Sequence, residues 1–161
     1  MKKLQILAAA CALAFGASAY AGSAGTTFQV TANVADDCTV TATDLNFGTY
    51  STFTPTALAG VSTVTVACTL LAGYNVGLDA GVGSGATVSS RKMTKGGNAL
   101  GYSLYRDPLQ LLGWGVTPSV DTFPGVGTGL AIPHLVYGSV PAGQNVPGGT
   151  YVDTVTVSIT Y

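Results

Sequence analysis

Apolar and polar residues alternate strictly along "TTFQVTANV" (residues 26–34): Phe28, Val30, Ala32 and Val34 fall on one side, and Gln29, Thr31 and Asn33 on the other. A period of two is that of a strand with one buried face. The same period recurs down the chain. In "VSTVTVACTL" (61–70) it places Val64, Val66, Cys68 and Leu70 on one face against Thr63, Thr65, Ala67 and Thr69. "YNVGLDAG" (74–81) turns Tyr74, Val76 and Leu78 inward, and "ALGYSLYRD" (99–107) does so with Leu100, Tyr102 and Leu104. "LNFGTY" (45–50) reads as a short strand with a turn at Gly48, and "HLVYGSVP" and "TYVDTVTVSITY" read as two more strands, separated by "AGQNVPGG". "STFTPTALAG" (51–60) reads as a loop, followed further on by a Gly/Ser-rich connection that carries Arg91, Lys92 and Lys95. Residues 108–129 read as the longest irregular region, with Gly and Pro too frequent for a helix. Six to seven short strands spaced by turn signals, with no helical pattern between them, predict an all-β sandwich.

The two ends of this pattern do not balance. The last strand carries Tyr151, Val155, Val157, Ile159 and Tyr161 as an apolar face that runs to the final residue, so no further strand follows to cover that edge. At the other end, the 26–34 strand can fold back into its own sandwich or fill the gap in a neighbour. Pattern alone favours its own sandwich, and composition does not decide between the two.

Ahead of that strand stand Lys2 and Lys3, the apolar run "LQILAAACALAFGA" and two small-x-small sites. This three-part order predicts a secretory signal peptide over residues 1–21, cleaved after Ala19 or Ala21. The apolar run is too short to cross a bilayer, and the surroundings of Cys11 do not suit lipidation. Without Lys2 and Lys3, four basic side chains (Arg91, Lys92, Lys95 and Arg106) face seven acidic ones, all Asp, for a net charge of −3. So few scattered cations offer no electrostatic footprint for nucleic acid. Cys38 and Cys68 remain after cleavage, and in an exported chain an even pair predicts one disulfide. Two cysteines and the lone His134 are too few for a zinc site.

Other chemistry is thin. Arg106 and Asp107 are expected to pair or to hydrogen-bond at a strand end, and Asp36-Asp37 to form a turn rather than a calcium loop. Ser, His and Asp all occur, but there is no G-x-S-x-G elbow, so no enzyme and no cofactor is expected. Trp114 and Phe123 either present a contact surface for sugars or abiotic surfaces or pack over one end of the sandwich; packing is favoured. Arg91, Lys92 and Lys95 read as ordinary solvated charge.

The order of "FQVTANVADDCTV", "LNFGTY", "VTVACT", "YNVGLDAG", "ALGYSLYRD" and "VYGSVPAGQNVPGGTYVDTVTVSITY" resembles the spore coat protein U domain, shared by subunits of archaic chaperone-usher pili. The resemblance covers nearly the whole mature chain, and "LNFGTY", "YSLYRD" and "PGGTYVDTVTVSITY" are its most specific pieces. It implies an incomplete immunoglobulin-like β-sandwich that lacks the last strand, with an N-terminal donor strand extension over residues 22–35 and the pilin domain over 36–161. It further implies a surface pilus subunit, exported to the periplasm and polymerised by donor-strand exchange. The partners implied are a periplasmic chaperone, an outer-membrane usher, and copies of itself or related subunits. Phe28, Val30, Ala32 and Val34 would then be the donor residues. Val155, Val157, Ile159 and Tyr161 would line the acceptor groove, with the Tyr161 carboxylate as a chaperone anchor. A secreted coat or binding protein that completes its own fold is the alternative.

Overall fold

The computed structural model describes residues 21–161, so the expected signal segment lies outside the described residues except for Ala21. One unit of the chain ends at Asn33, and the other is Val34–Tyr161. The larger unit holds eight strands: β1 (Cys38–Ala42), β2 (Leu58–Cys68), β3 (Gly73–Leu78), β4 (Arg91–Lys95), β5 (Asn98–Tyr105), β6 (Phe123–Val126), β7 (Ala131–Val140) and β8 (Val157–Thr160). They form a five-stranded sheet in the order β1-β2-β7-β5-β4 and a three-stranded sheet in the order β6-β3-β8. All pairings are antiparallel, and no helix occurs among the described residues.

The core is made by the period-two faces read from the sequence. Val64, Val66 and Cys68 of β2, Tyr74, Val76 and Leu78 of β3, and Leu100, Tyr102 and Leu104 of β5 are all buried. Cys38 and Cys68 face each other across β1 and β2 and are joined by a disulfide with an S–S distance of 2.08 Å. Leu70 departs from expectation and is 64% exposed, because β2 ends at Cys68 and the chain turns through a positive φ of 68° at Leu71.

Several segments differ from the sequence reading, and β2 begins at Leu58, inside the stretch read as a loop. Residues 26–34 form no strand; alternation specifies a face but cannot supply the partner that a ladder requires. The Gly/Ser-rich connection contains β4, which pairs with β5 through Arg91↔Tyr102 and Lys95↔Asn98, and the long irregular region contains β6. With β1 (Cys38–Ala42), which the sequence reading also left unassigned, they bring the count to eight although neither 26–34 nor 45–50 forms a strand. β8 is shorter than expected: from Tyr151 onward the chain makes one isolated bridge, Thr94↔Val152, before the strand begins at Val157.

"LNFGTY" also forms no strand, although its turn is present: Gly48 adopts a φ of 76° and donates to Asn46 Oδ1 at 2.8 Å. Its apolar residues have a different task. Gly60 of β2 and Gly138 of β7 are directly opposed, and together they open a seat for the Leu45 and Phe47 side chains. A Cβ on Gly138 would stand 2.7 Å from Phe47 Cζ and 2.9 Å from Leu45 Cδ1, and one on Gly60 would stand 2.9 Å from Leu45 Cδ2. Phe47 then meets Tyr102 edge-on at 6.0 Å. The hydroxyl of Tyr50 donates to Pro141 O at 2.9 Å and accepts from Gln144 N at 2.8 Å. Gln144 in turn accepts from Gly101 N at 2.7 Å and donates to Gly101 O at 2.9 Å. The segment is therefore a plug fastened at both ends.

Two buried polar side chains were not legible as core. Arg91, expected in solvent, is wholly buried and donates to four main-chain carbonyls: Asp79 O and Val88 O at 2.7 Å, Leu78 O at 2.8 Å and Trp114 O at 2.7 Å. It links the end of β3, the approach to β4 and the 107–122 loop, and the carbonyl dipoles replace the water that a buried guanidinium gives up. His134 lies inside β7 with Nε2 3.0 Å from the Tyr74 hydroxyl and its ring 4.5 Å from that of Phe123. Burial lowers its pKa from the ordinary 6.5.

Two outcomes follow from this packing. Gly138→Ala should expel Phe47 from its seat and lower stability by about 1–3 kcal/mol, read as a lower urea midpoint, while Ala at Gly73, whose Cβ position is open and whose φ is not positive, should leave the midpoint nearly unchanged. For His134 the unfolded chain takes up a proton near pH 6.5 that the folded ring refuses. The stabilising contribution is therefore full above 6.5 and is lost as the pH falls through the depressed folded value. Urea midpoints should drop between about pH 7.5 and about pH 5, with a smaller drop in His134→Gln.

Candidate functional site: the open edges of β1 and β8

The two sheets present four edges, and they are treated differently. β4 is covered in part by the Thr94↔Val152 bridge, with reciprocal Thr94 N to Val152 O (2.8 Å) and Val152 N to Thr94 O (3.1 Å) bonds. β6 has only four residues, one of them Pro124, which has no N–H to offer a partner. β8 pairs with β3 through Asn75↔Thr160, Val76↔Ile159, Gly77↔Ser158 and Leu78↔Val157, and β1 pairs with β2; among the described residues neither has a second strand partner. β1 and β8 approach each other to within 8 Å between Cα atoms, so these open edges are neighbours.

Burial tells the same story. Val155, Val157 and Ile159 pack against the core but remain only partly buried, as do Cys38 and Val40 on β1. Val66 and Val76, on the strands just inside, are fully buried. Tyr161 lies beyond the end of β8 and is 58% exposed. Three of the four expected groove residues thus share one half-covered face, and the fourth stands outside it.

The approach to β8 is held by carboxylates. Asp79 Oδ1 accepts from Thr156 N at 2.8 Å, and Asp79 N donates to Thr156 O at 3.0 Å. Asp153 Oδ1 accepts from Val82 N at 2.8 Å, and its Oδ2 accepts from the Tyr102 hydroxyl at 2.6 Å. Burial acts to raise the Asp79 pKa, but the hydrogen bonds from Thr156 and Gly81 and the nearby Arg91 charge outweigh it, leaving the group below the usual carboxylate value. Burial, together with the Asp153 carboxylate, pushes the Tyr102 phenol up. Sequence reading missed Asp79, Asp153 and Arg91. The available signal was scarcity: in a chain that is 8% charged, each charge inside a strand pattern calls for a partner.

The expected donor residues lie on a segment without regular structure. Phe28 is 86% exposed and Val30 and Val34 are each 81% exposed, and Ala32 is exposed as well. Asp37, at the threshold of β1, donates from its N to Thr69 Oγ1 at 3.0 Å and accepts from Thr69 N at 2.9 Å.

The remaining candidates resolve into structural roles. Arg106 donates to Thr122 O and to Val120 O, and Asp107 accepts from Leu112 N at 2.7 Å and Leu111 N at 3.1 Å, so both act just past the end of β5. Trp114 is wholly buried and donates from Nε1 to Val76 O at 2.9 Å, with Phe123 tilted against it at 5.5 Å. Beside them is a cleft of about 310 Å³ lined by Val88, Leu111, Leu112 and Val120, and none of the β1 or β8 residues contributes to it.

Comparison with known proteins agrees with this architecture. The chain is 39% identical to Protein U of Myxococcus xanthus over 171 aligned positions, covering 97% of this chain and 94% of the relative. Its fold is similar to that of a chain in the crystal structure of the CsuC-CsuE chaperone-tip adhesion subunit pre-assembly complex, from the archaic chaperone-usher Csu pili of Acinetobacter baumannii. That likeness has a TM-score of 0.60 at 24% identity over 80% of this chain, and this chain spans 40% of the length of the other. The sequence profile of the Spore Coat Protein U domain matches residues 24–158, and the chain belongs to that family.

Proposed function

We propose that this protein is a structural subunit of a surface pilus that polymerises by donor-strand exchange after chaperone-usher export and supports adhesion or biofilm formation. Residues 1–21 are the signal peptide, 22–35 the donor extension and 36–161 the subunit domain. Family membership makes the protein structural and non-enzymatic, and the fold-level likeness to a chain from a chaperone–subunit complex is compatible with a chaperone partner. The observation that carries the reading is the pairing of two deficits. An alternating segment exposes Phe28, Val30 and Val34, while the β8 edge leaves Val155, Val157 and Ile159 half covered.

The two deficits are complementary in kind. Burying Phe28, Val30 and Val34 contributes roughly 1.5–3 kcal/mol each, and each net main-chain hydrogen bond along β8 contributes about 0.5–1.5 kcal/mol. Strand addition of this type takes affinity from the backbone and register from alternate side chains. Because donor and acceptor are different surfaces of one subunit, the contact is head-to-tail and grows as an open filament. Before assembly, the chaperone covers the same edge, and the usher is where it is exchanged.

The family's description as a spore coat domain favours a second reading, a coat protein that completes its own fold. Periplasmic expression with a cognate chaperone, followed by unheated denaturing gel electrophoresis, separates the two. Exchange predicts a ladder that collapses on boiling, and deletion of residues 22–34 should leave a chaperone-bound subunit that accepts a strand but donates none. A stable monomer produced without any chaperone, or fibres built by the truncated chain alone, would overturn the exchange reading.

A further inference from the structure

We propose that the Cys38–Cys68 bridge is a mechanical clamp, through which tension on the N-terminal extension bypasses β1 and enters β2 directly. The inference rests on the reading of residues 22–35 as the segment by which one subunit is held by the next. In such a fibre the pull from the subunit that holds this extension arrives at the threshold of β1.

Without the bridge, that threshold is a weak place to load. β1 is an edge strand of five residues with β2 as its single strand partner. Cys38 is its first residue and sits opposite Cys68 at the end of β2. A pull that enters at Cys38 and lifts the strand from that end opens one pair at a time, so each main-chain pair resists alone. Behind β1 lies irregular chain as far as β2, which starts at Leu58, and it is held by the Leu45–Phe47 seat and the Tyr50 hydroxyl, so once that plug gives way residues 38–57 could be drawn out before β2 bears load.

With the bridge, those residues are out of the load path. The covalent bond joins the first residue of β1 to the last residue of β2, and the paired Asp37 and Thr69 main chains continue the lock one residue beyond it. β2 is an inner strand, held on its far side by β7 from Leu58↔Val140 to Ala67↔Ala131. Beyond Cys68 the covalent path runs on through Thr69 toward β3, so β1 and β2 stay paired inside the closed loop while the rest of the sandwich takes the pull. Peeling also threatens the acceptor side, because β1 is the neighbour of β8, so the clamp guards the open edge of the same subunit as well.

The release has a predictable size. The segment 38–57 extends at up to about 3.6 Å per residue. Its ends are separated in the fold by about the length of β2, roughly 33 Å at about 3.3 Å per residue. Loss of the clamp should therefore add about 40 Å of contour length per subunit before the sandwich itself unfolds.

Single-molecule pulling tests this on the intact subunit, tethered at its N-terminal extension and at Tyr161, and on fibres where they form. The Cys38→Ser/Cys68→Ser chain should show an early, low-force step of about 40 Å that the oxidised wild type lacks. If the double variant does not fold, wild-type protein reduced in place, with both thiols verified by labelling, should show the same step. A reduced chain that unfolds in one event, with no earlier step, would overturn the clamp. Failure of the wild type to form fibres would instead count against polymerisation, since the single-subunit step does not depend on assembly.

Discussion

A β-strand at the edge of a sheet carries a row of main-chain donors and acceptors that only another strand, or water, can satisfy, and the unit Val34–Tyr161 depends on how it meets that constraint. It covers one edge with the Thr94–Val152 bridge and shortens another around Pro124. The β1 and β8 edges stay open, next to each other, with Val40, Val157 and Ile159 half covered between the layers. An edge left open in this way is an aggregation hazard unless something specific is meant to occupy it. The other notable features of the fold hold that open edge in place.

They do so with buried polar chemistry rather than with greater apolar bulk. Arg91 gathers four carbonyls from three segments, and Asp79 and Asp153 fix the chain from residue 153 to residue 156 just before β8 begins. The opposed Gly60 and Gly138 admit Leu45 and Phe47, so an irregular segment packs against the core. The disulfide ties the open β1 edge to the best-supported strand. Together they secure the segments that flank edges no strand covers among the described residues.

Alternation made the inner faces of β2, β3 and β5 legible, because a two-sided environment imprints a period of two on the residues that meet it. It could not show whether a partner existed: the face of residues 26–34 was readable, but a strand requires a ladder. β4 was obscured because Arg91, its innermost side chain, is polar, and its burial depends on carbonyls that come together only in the fold. β6 was hidden by Pro124 and Gly125, which signal turns locally yet are tolerated on an edge. "LNFGTY" misled for the opposite reason, since its apolar spacing resembles a strand while the space it fills is created by glycines on β2 and β7. At the candidate site, the apolar face of Val155, Val157 and Ile159 was readable from pattern and its reading as a groove came from the family resemblance, whereas Asp79 and Asp153 were not legible, because the Thr156 and Val82 amides and the Tyr102 hydroxyl that they bind lie far away in sequence.

The central claim is that the extension is satisfied by a second molecule, and amide hydrogen exchange on residues 26–34 and Val157–Thr160 tests it most directly. In assembled material both sets of amides should be strongly protected, and in chaperone-free monomer the 26–34 set should exchange at the rate of an unstructured chain. Equal protection of residues 26–34 in monomer and assembly would contradict the account, because it would mean that the strand had found its core at home.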